Sequence, residues 1–243
     1  MGGSRSTFAV TQWSQMHAFA GLSPDQQKVV LDELVGRYWK PVYCYLRRKG
    51  CDNERAKDLT QGFFHEIVMG RQFIEQAEEG KGRFRTFLLT ALDRYVISAH
   101  RREAASKRRP AEGTIPLDDT ADTVSIAAQS MGPDEAFTYA WALELLHDVL
   151  SDVERQCIRD GKGVHWQLFH LRVVEPILTG QDPPPLAQLC ERFSVPTAVK
   201  AENMIVTVKR RFQTAMRDRV SQYVAADEEV EQEIRDLMEI LSR

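Results

Sequence analysis

The sequence predicts an all-α protein. Apolar residues recur at three- and four-residue steps through every long segment, as in Ala56, Leu59, Phe63, Phe64 and Ile67. Helix start signals precede those stripes, the clearest being Ser23-Pro24-Asp25-Gln26. No run alternates in the way a half-buried strand requires. With 243 residues, 43% hydrophobic and 28% charged, the chain can fold as one large domain or two of about 100 residues.

The elements follow in order. Ser23 is placed as an N-cap, Pro24 opens the first turn, and Gln26 completes a capping box. Leu31, Leu34, Val35 and Tyr38 continue that helix. Pro41 is expected to restart a segment carrying Val42, Tyr45 and Leu46, ending near Gly50. Asp52 can cap the helix of the Ala56–Ile67 stripe, and Gly70, Gly80 and Gly82 bracket a break. A long helix follows with Phe84, Leu88, Ala91 and Tyr95 on one face and a basic end, Arg101, Arg102, Lys107, Arg108 and Arg109. Residues 110–135 hold three prolines, two glycines and no base, and read as a flexible acidic linker. Beyond it, Ala136, Ala140, Leu143 and Leu150 mark one helix, and Trp166, Phe169, Val173 and Ile177 another. The expected division is therefore a helical domain at 1–109, the linker at 110–135, and a helical domain at 136–243 that closes on an acidic helix.

Charge alternates along this plan. Residues 81–109 hold nine Lys/Arg against Asp93 and Glu103, a net of +7, and residues 110–135 carry a net of −6. Residues 197–219 hold six Lys/Arg against Glu202 and Asp218, a net of +4, and residues 227–243 a net of −5. Two basic patches around an acidic spacer point to a polyanion held at two places. A solvated helix surface is the alternative for either patch alone.

Other function classes find little support. No run of about 18 apolar residues could span a membrane, and residues 1–14 lack the apolar core of a secretory signal. Cys44, Cys51, Cys157 and Cys190 form no C-x-x-C pair, so neither a disulfide scaffold nor a zinc site is expected. A reduced, cytoplasmic protein is the expectation. The histidines make no H-E-x-x-H, and Gly80-Lys81-Gly82 lacks the length and the following Ser/Thr of a phosphate loop. No catalytic residue, metal, cofactor or small-molecule substrate is expected, and the protein is not read as an enzyme.

Residues 185–212 read as a helix-turn-helix. Leu186, Leu189 and Cys190 face inward in the first helix, Cys190 being small enough for the second helix to cross it. Ser194-Val195-Pro196 supplies the turn. At 100° per residue Ala201, Ile205, Val208 and Phe212 share one side of the second helix. Lys200, Asn203, Thr207, Arg210 and Arg211 occupy the other: Lys200 and Asn203 suit base edges, Arg210 and Arg211 phosphates. An ordinary helical hairpin with a polar face is the alternative.

At nearly full length the chain resembles bacterial RNA polymerase sigma factors of the extracytoplasmic-function type. Asp58-Leu59-Thr60-Gln61 with Phe63-Phe64 is similar to the D-L-x-Q segment of the family's second conserved region. Gly82-Arg-Phe-Arg-Thr-Phe-Leu-Leu, running to Tyr95 and Arg101-Arg102, looks like the helix that reads and melts the downstream promoter element. Leu189–Phe212 sits where the fourth region reads the upstream element. Thr11-Gln-Trp13-Ser14, Arg47-Arg-Lys-Gly50 and the tail Glu228–Leu237 are similar to a divergent branch.

The resemblance implies a non-enzymatic subunit that docks on core RNA polymerase, places one domain on each promoter element and threads the acidic linker into the polymerase. Glu54, Asp58 and Gln61 would form the polymerase dock; Arg101, Arg102, Lys107, Arg108 and Arg109 would hold promoter backbone. An anti-sigma factor or a Ser/Thr kinase is a further partner the resemblance implies. Two departures bear on this. Arg55 and Lys57 stand where relatives carry acids, which weakens the dock, and Ser194 replaces the turn glycine. Phosphorylation at Thr60 would restore negative charge to the dock, but the helical wheel turns Thr60 inward, where it reads as a buried, space-filling threonine. The other readings are a helix-turn-helix regulator acting without polymerase, or a protein–protein adaptor with a degenerate helix-turn-helix.

Overall fold

The computed structural model describes residues 19–69, 83–106, 131–224 and 227–242. Among them every regular element is helical and none is a strand. No described helix is long and apolar enough to cross a membrane. The main elements are α1 (Pro24–Arg48), α2 (Asn53–Met69), α3 (Phe84–Ser106), α4 (Pro133–Arg159), α5 (Gly163–Phe169), α6 (Glu175–Thr179), α7 (Leu186–Arg192), α8 (Ala198–Val220) and α9 (Val230–Leu241).

The chain divides into two compact units, one within 1–144 and 220–243, the other 145–219. The contacts thus draw the units differently from the expected division. The linker expected to run to 135 ends before Pro133, where α4 begins; its residues 110–130 lie outside the described residues. The acidic α9, expected with the second domain, belongs to the first unit.

In the first unit, local chemistry sets the helix ends. Ser23 Oγ accepts from the Gln26 amide at 3.4 Å, and the Ser23 amide donates to Gln26 Oε1 at 3.1 Å, a closed capping box. The helix then runs unbroken past Pro41, contrary to the expected restart there. Pro41 has no N–H to return to the carbonyl of Arg37. Burial of Tyr38, Val42, Tyr45 and Leu46 on both sides of it outweighs that loss. The Arg55 amide donates to Asp52 Oδ1 at 2.8 Å, capping α2 as expected.

Ala56, Leu59, Phe63 and Phe64 of α2 are buried, as are Phe84, Leu88, Leu92, Val96 and Ala99 of α3. Trp39 stacks on Phe64 at 6.0 Å and Tyr95 meets Phe63 edge-on at 5.6 Å. Gly62 is required by this approach, because a Cβ there would overlap Tyr95 Oη. Tyr45 Oη donates to Asp93, whose carboxylate also takes Lys49 Nζ at 3.1 Å, tying the end of α1 to α3. The start of α4 adds Phe137, stacked on Tyr38 at 6.3 Å, and Trp141, edge-on to Tyr223 at 5.1 Å.

α9 lays Val230, Glu233 and Leu237 against this unit. The Glu233 carboxylate is fully buried and pairs with Arg83 Nε at 2.8 Å and with Arg85. Asp236 accepts from Arg83 at 2.5 Å and from Gln232 at 2.7 Å. Arg85 also lies over the Trp141 ring at 5.0 Å. Burial, and then the neighbouring Arg83, pull its pKa down to about 10.

The second unit begins with Leu145, Val149, Val153 and Cys157, buried at four-residue steps along the rest of α4. α5 and α6 are joined without a break by a π-type turn, His170–Val174, in which the Glu175 amide donates to the His170 carbonyl. Pro176 explains the turn: in α geometry its ring would meet the carbonyl of Arg172, and widening the turn by one residue relieves this. The extra residue also rotates the helical turn beyond it. Ile177, expected on the buried face with Trp166 and Phe169, is 72% exposed, and Val173 is half-buried.

α7 ends in a Schellman motif. The Ser194 amide donates to the Glu191 carbonyl at 3.3 Å and the Val195 amide to the Cys190 carbonyl at 2.9 Å. Ser194 holds φ of 53°, alone among the described non-glycine residues in the left-handed region. Gly161, closing α4 at φ of 67°, carries no such cost. Ser194→Gly is therefore expected to stabilise the protein by about 1 kcal/mol and Ser194→Val to destabilise it. Urea denaturation of the three proteins checks this; an unchanged midpoint for glycine would mean that the serine is not strained.

Candidate nucleic-acid interface

α8 is the longest helix of the second unit apart from α4, and its inner face is set by packing. Leu168, Leu189, Val195 and Ala201 form a buried cluster, flanked by Leu171, Leu186, Cys190, Phe193, Met204 and Ile205. Ala201 is fully buried where α8 meets α7, and Phe212 meets Phe169 at 6.1 Å. Thr197 Oγ1 accepts from the Lys200 amide at 3.2 Å and caps the helix. The inner face leaves Lys200, Asn203, Thr207 and Arg210, at steps of three, four and three residues, on one outward stripe.

The sequence-predicted residues of this stripe differ in what they present. Lys200, Asn203 and Arg210 are exposed. Thr207 is half-buried, and its hydroxyl donates to the Asn203 carbonyl at 2.8 Å, so that donor is already engaged. Arg211 is engaged within the protein. It pairs with Asp160 at 2.7 Å and contacts Cys157 Sγ at 4.0 Å, and the Asp160 hydrogen bond raises its pKa. It therefore ties α8 to the turn after α4 rather than standing ready for a phosphate.

Three groups on this side escaped the sequence reading. Lys209 is exposed beside Arg210, and Val199 and Val206 are exposed apolar side chains interleaved with Asn203 and Arg210. Helical phasing could have found them. His165 could not be found so: α5 brings it to α8 because Leu168, three residues on, enters the shared core. Burial, and then the charges of Lys162, Arg211 and Lys200, push its pKa below 6.5. The shift favours the neutral imidazole, a hydrogen-bonding group among cations.

In the first unit the basic end of α3 is exposed at Arg101 and Arg102. Arg102 pairs with Glu66 at 3.1 Å and lies 5.6 Å from the Tyr95 ring. Arg94, Ile97 and Arg101 share one exposed stripe, of which the sequence reading named only Arg101. Lys107, Arg108 and Arg109 lie outside the described residues. On α2, Glu54, Asp58 and Gln61 are exposed at steps of four and three residues. Lys57 Nζ lies 3.7 Å from Glu54, so part of the cationic substitution is neutralised inside the stripe. Thr60 is 0% exposed and its hydroxyl donates to the Ala56 carbonyl at 2.7 Å. A kinase would reach it only after α2 opens, and a phosphate there would be costly to bury.

Among the described residues no group of three or more His, Cys, Asp or Glu is placed to hold a metal ion. All four cysteines are free; burial pushes the Cys44 thiol up to about 11. Comparison of the chain with family models, curated proteins and solved structures gives no match.

Proposed function

We propose that the chain is a cytoplasmic sigma factor of the extracytoplasmic-function type, which binds core RNA polymerase and directs promoter recognition and transcription initiation. The observation that carries this reading is the α8 stripe. Lys200, Asn203 and Arg210 stand outward on a helix whose inner face is locked to α7 and α5, and α7 turns into it through the left-handed Ser194. Such a pair is what a helix-turn-helix needs to enter a major groove.

Asn203 supplies the donor–acceptor amide that suits adenine. Val199 and Val206 suit thymine methyl groups, and Arg210 and Lys209 suit phosphates. In the first unit, Glu54, Asp58 and Gln61 form the polymerase dock, and Arg94, Arg101 and Arg102 face promoter backbone near the melted region. Arg102 reaches phosphate only by leaving Glu66.

Run-off transcription with core polymerase tests the reading, and a core pull-down separates it from a regulator or adaptor that works without polymerase. Within it, Asn203→Ala is expected to weaken cognate DNA by about 1–3 kcal/mol and relax specificity. Arg210→Ala should weaken all sequences alike and reduce the salt slope by about one unit. Equal losses on cognate and scrambled duplexes for both variants would show that Asn203 reads no base.

A further inference from the structure

We propose that Arg83 and Arg85 form a phosphate-binding site for nucleic acid, and that α9 fills it in this structure with Glu233 and Asp236 standing where phosphate oxygens would lie. This rests on the reading that the chain binds DNA. What it adds to that reading is the occupant: Glu233 and Asp236 of α9 cover the two arginines at the opening of α3, the helix that the resemblance places on the downstream promoter element.

Arg83 and Arg85 flank Phe84, which is fully buried and anchors the start of α3. Both guanidinium groups converge on one carboxylate, Glu233, and Arg83 reaches a second, Asp236. Two arginines turned to one oxyanion from the same chain segment is the forked geometry that suits phosphate as well as carboxylate. A tie whose only task was to hold α9 would be served as well by apolar side chains, since burying charges costs their hydration. Charge at this place recognises charge.

The occupant is built to leave. α9 is held by Val230, Leu237 and the arginine contacts, and a 12-residue helix is marginal in water once detached. Arg83 keeps about a third of its side chain in solvent, so an incoming phosphate can meet it before Glu233 departs. Entry would be an exchange of one oxyanion for another, with no charge left bare in the core.

The test is binding of a fluorescent 20-nucleotide single strand and a 20-base-pair duplex, at two salt concentrations, by full-length proteins. Asp236→Asn and Glu233→Gln are expected to tighten binding about tenfold at low salt and to steepen the salt dependence by about one unit. The gain should vanish when Arg83→Ala is added. A larger gain on the single strand would assign the site to melted DNA, a larger gain on the duplex to backbone beside it. Glu228→Gln with Glu229→Gln removes exposed acids of the same segment and controls for general repulsion. Its gain should be smaller and indifferent to Arg83→Ala. Should Glu233→Gln lower the melting temperature sharply, Asp236→Asn carries the test, because Asp236 is half-buried and bonds only the outer nitrogen of Arg83 and Gln232.

Unchanged affinity in Asp236→Asn, or a gain that survives Arg83→Ala, overturns the site. If those results come with DNA binding that Arg210→Ala weakens, the promoter-binding reading stands and only this site falls. If no protein binds either oligonucleotide, both fall.

Discussion

Glu233→Ala should be among the most damaging single substitutions in the first unit, at about 3–5 kcal/mol. The side chain is fully buried and receives Arg83 and Arg85. Removing it leaves Arg85 buried over Trp141 with no carboxylate paired to it and only the charge of Asp236 nearby, and leaves Arg83 paired with Asp236 alone. The comparison that isolates the charge is Glu233→Ala with Arg85→Met. If the cost is that of an abandoned cation, the double variant should be less damaged than the sum of the singles. Urea denaturation followed by far-UV circular dichroism measures both. Additive losses would mean that Glu233 acts through packing alone. Acid should loosen the same tie. Burial alone would raise the Asp236 carboxyl, but the hydrogen bonds from Arg83 and Gln232 hold it below its usual 3.8. Its folded pKa is depressed, so its contribution is present above about pH 4 and is lost as pH falls through the folded value.

Leu168→Ala should cost about 2–5 kcal/mol in the second unit. Leu168 is fully buried in the cluster that joins α5 to α7 and α8 through Leu189, Val195 and Ala201. The cavity would open beneath the α8 stripe. DNA affinity should therefore fall together with stability, although Leu168 cannot touch DNA. Arg210→Ala is the counterpart, with affinity lost and the urea midpoint kept. If Leu168→Ala unfolds at the wild-type midpoint, the cluster does not support the helix pair.

What was legible in the sequence was what is decided within a turn or two of chain. The Ser23 capping box, the Asp52 cap and the Ala56–Phe64 stripe depend on residues three or four apart, and the structure has them as read. The course of α1 was not legible at Pro41, because the factor that overrides a missing N–H is tertiary burial. Nor was the exposure of Ile177, since one residue inserted at Pro176 turns everything after it. On α8, periodicity separated the outward stripe from the packed one. It could not tell Arg210, which is exposed, from Arg211, which Asp160 holds from 51 positions away. The Arg83–Arg85–Glu233 cluster has no local signature, because its members meet only in the folded unit.

That cluster joins residues made at very different times. Unit 145–219 is complete on the growing chain before α9 exists, whereas the first unit must wait for it. Glu233 follows Arg85 by 148 residues. At about 5–20 residues per second the arginines are therefore without their carboxylates for about 7–30 s of synthesis. Through that interval the two arginines of the nascent first unit stand without the carboxylates that pair with them in the finished fold, and the synthesis of α9 is what supplies them.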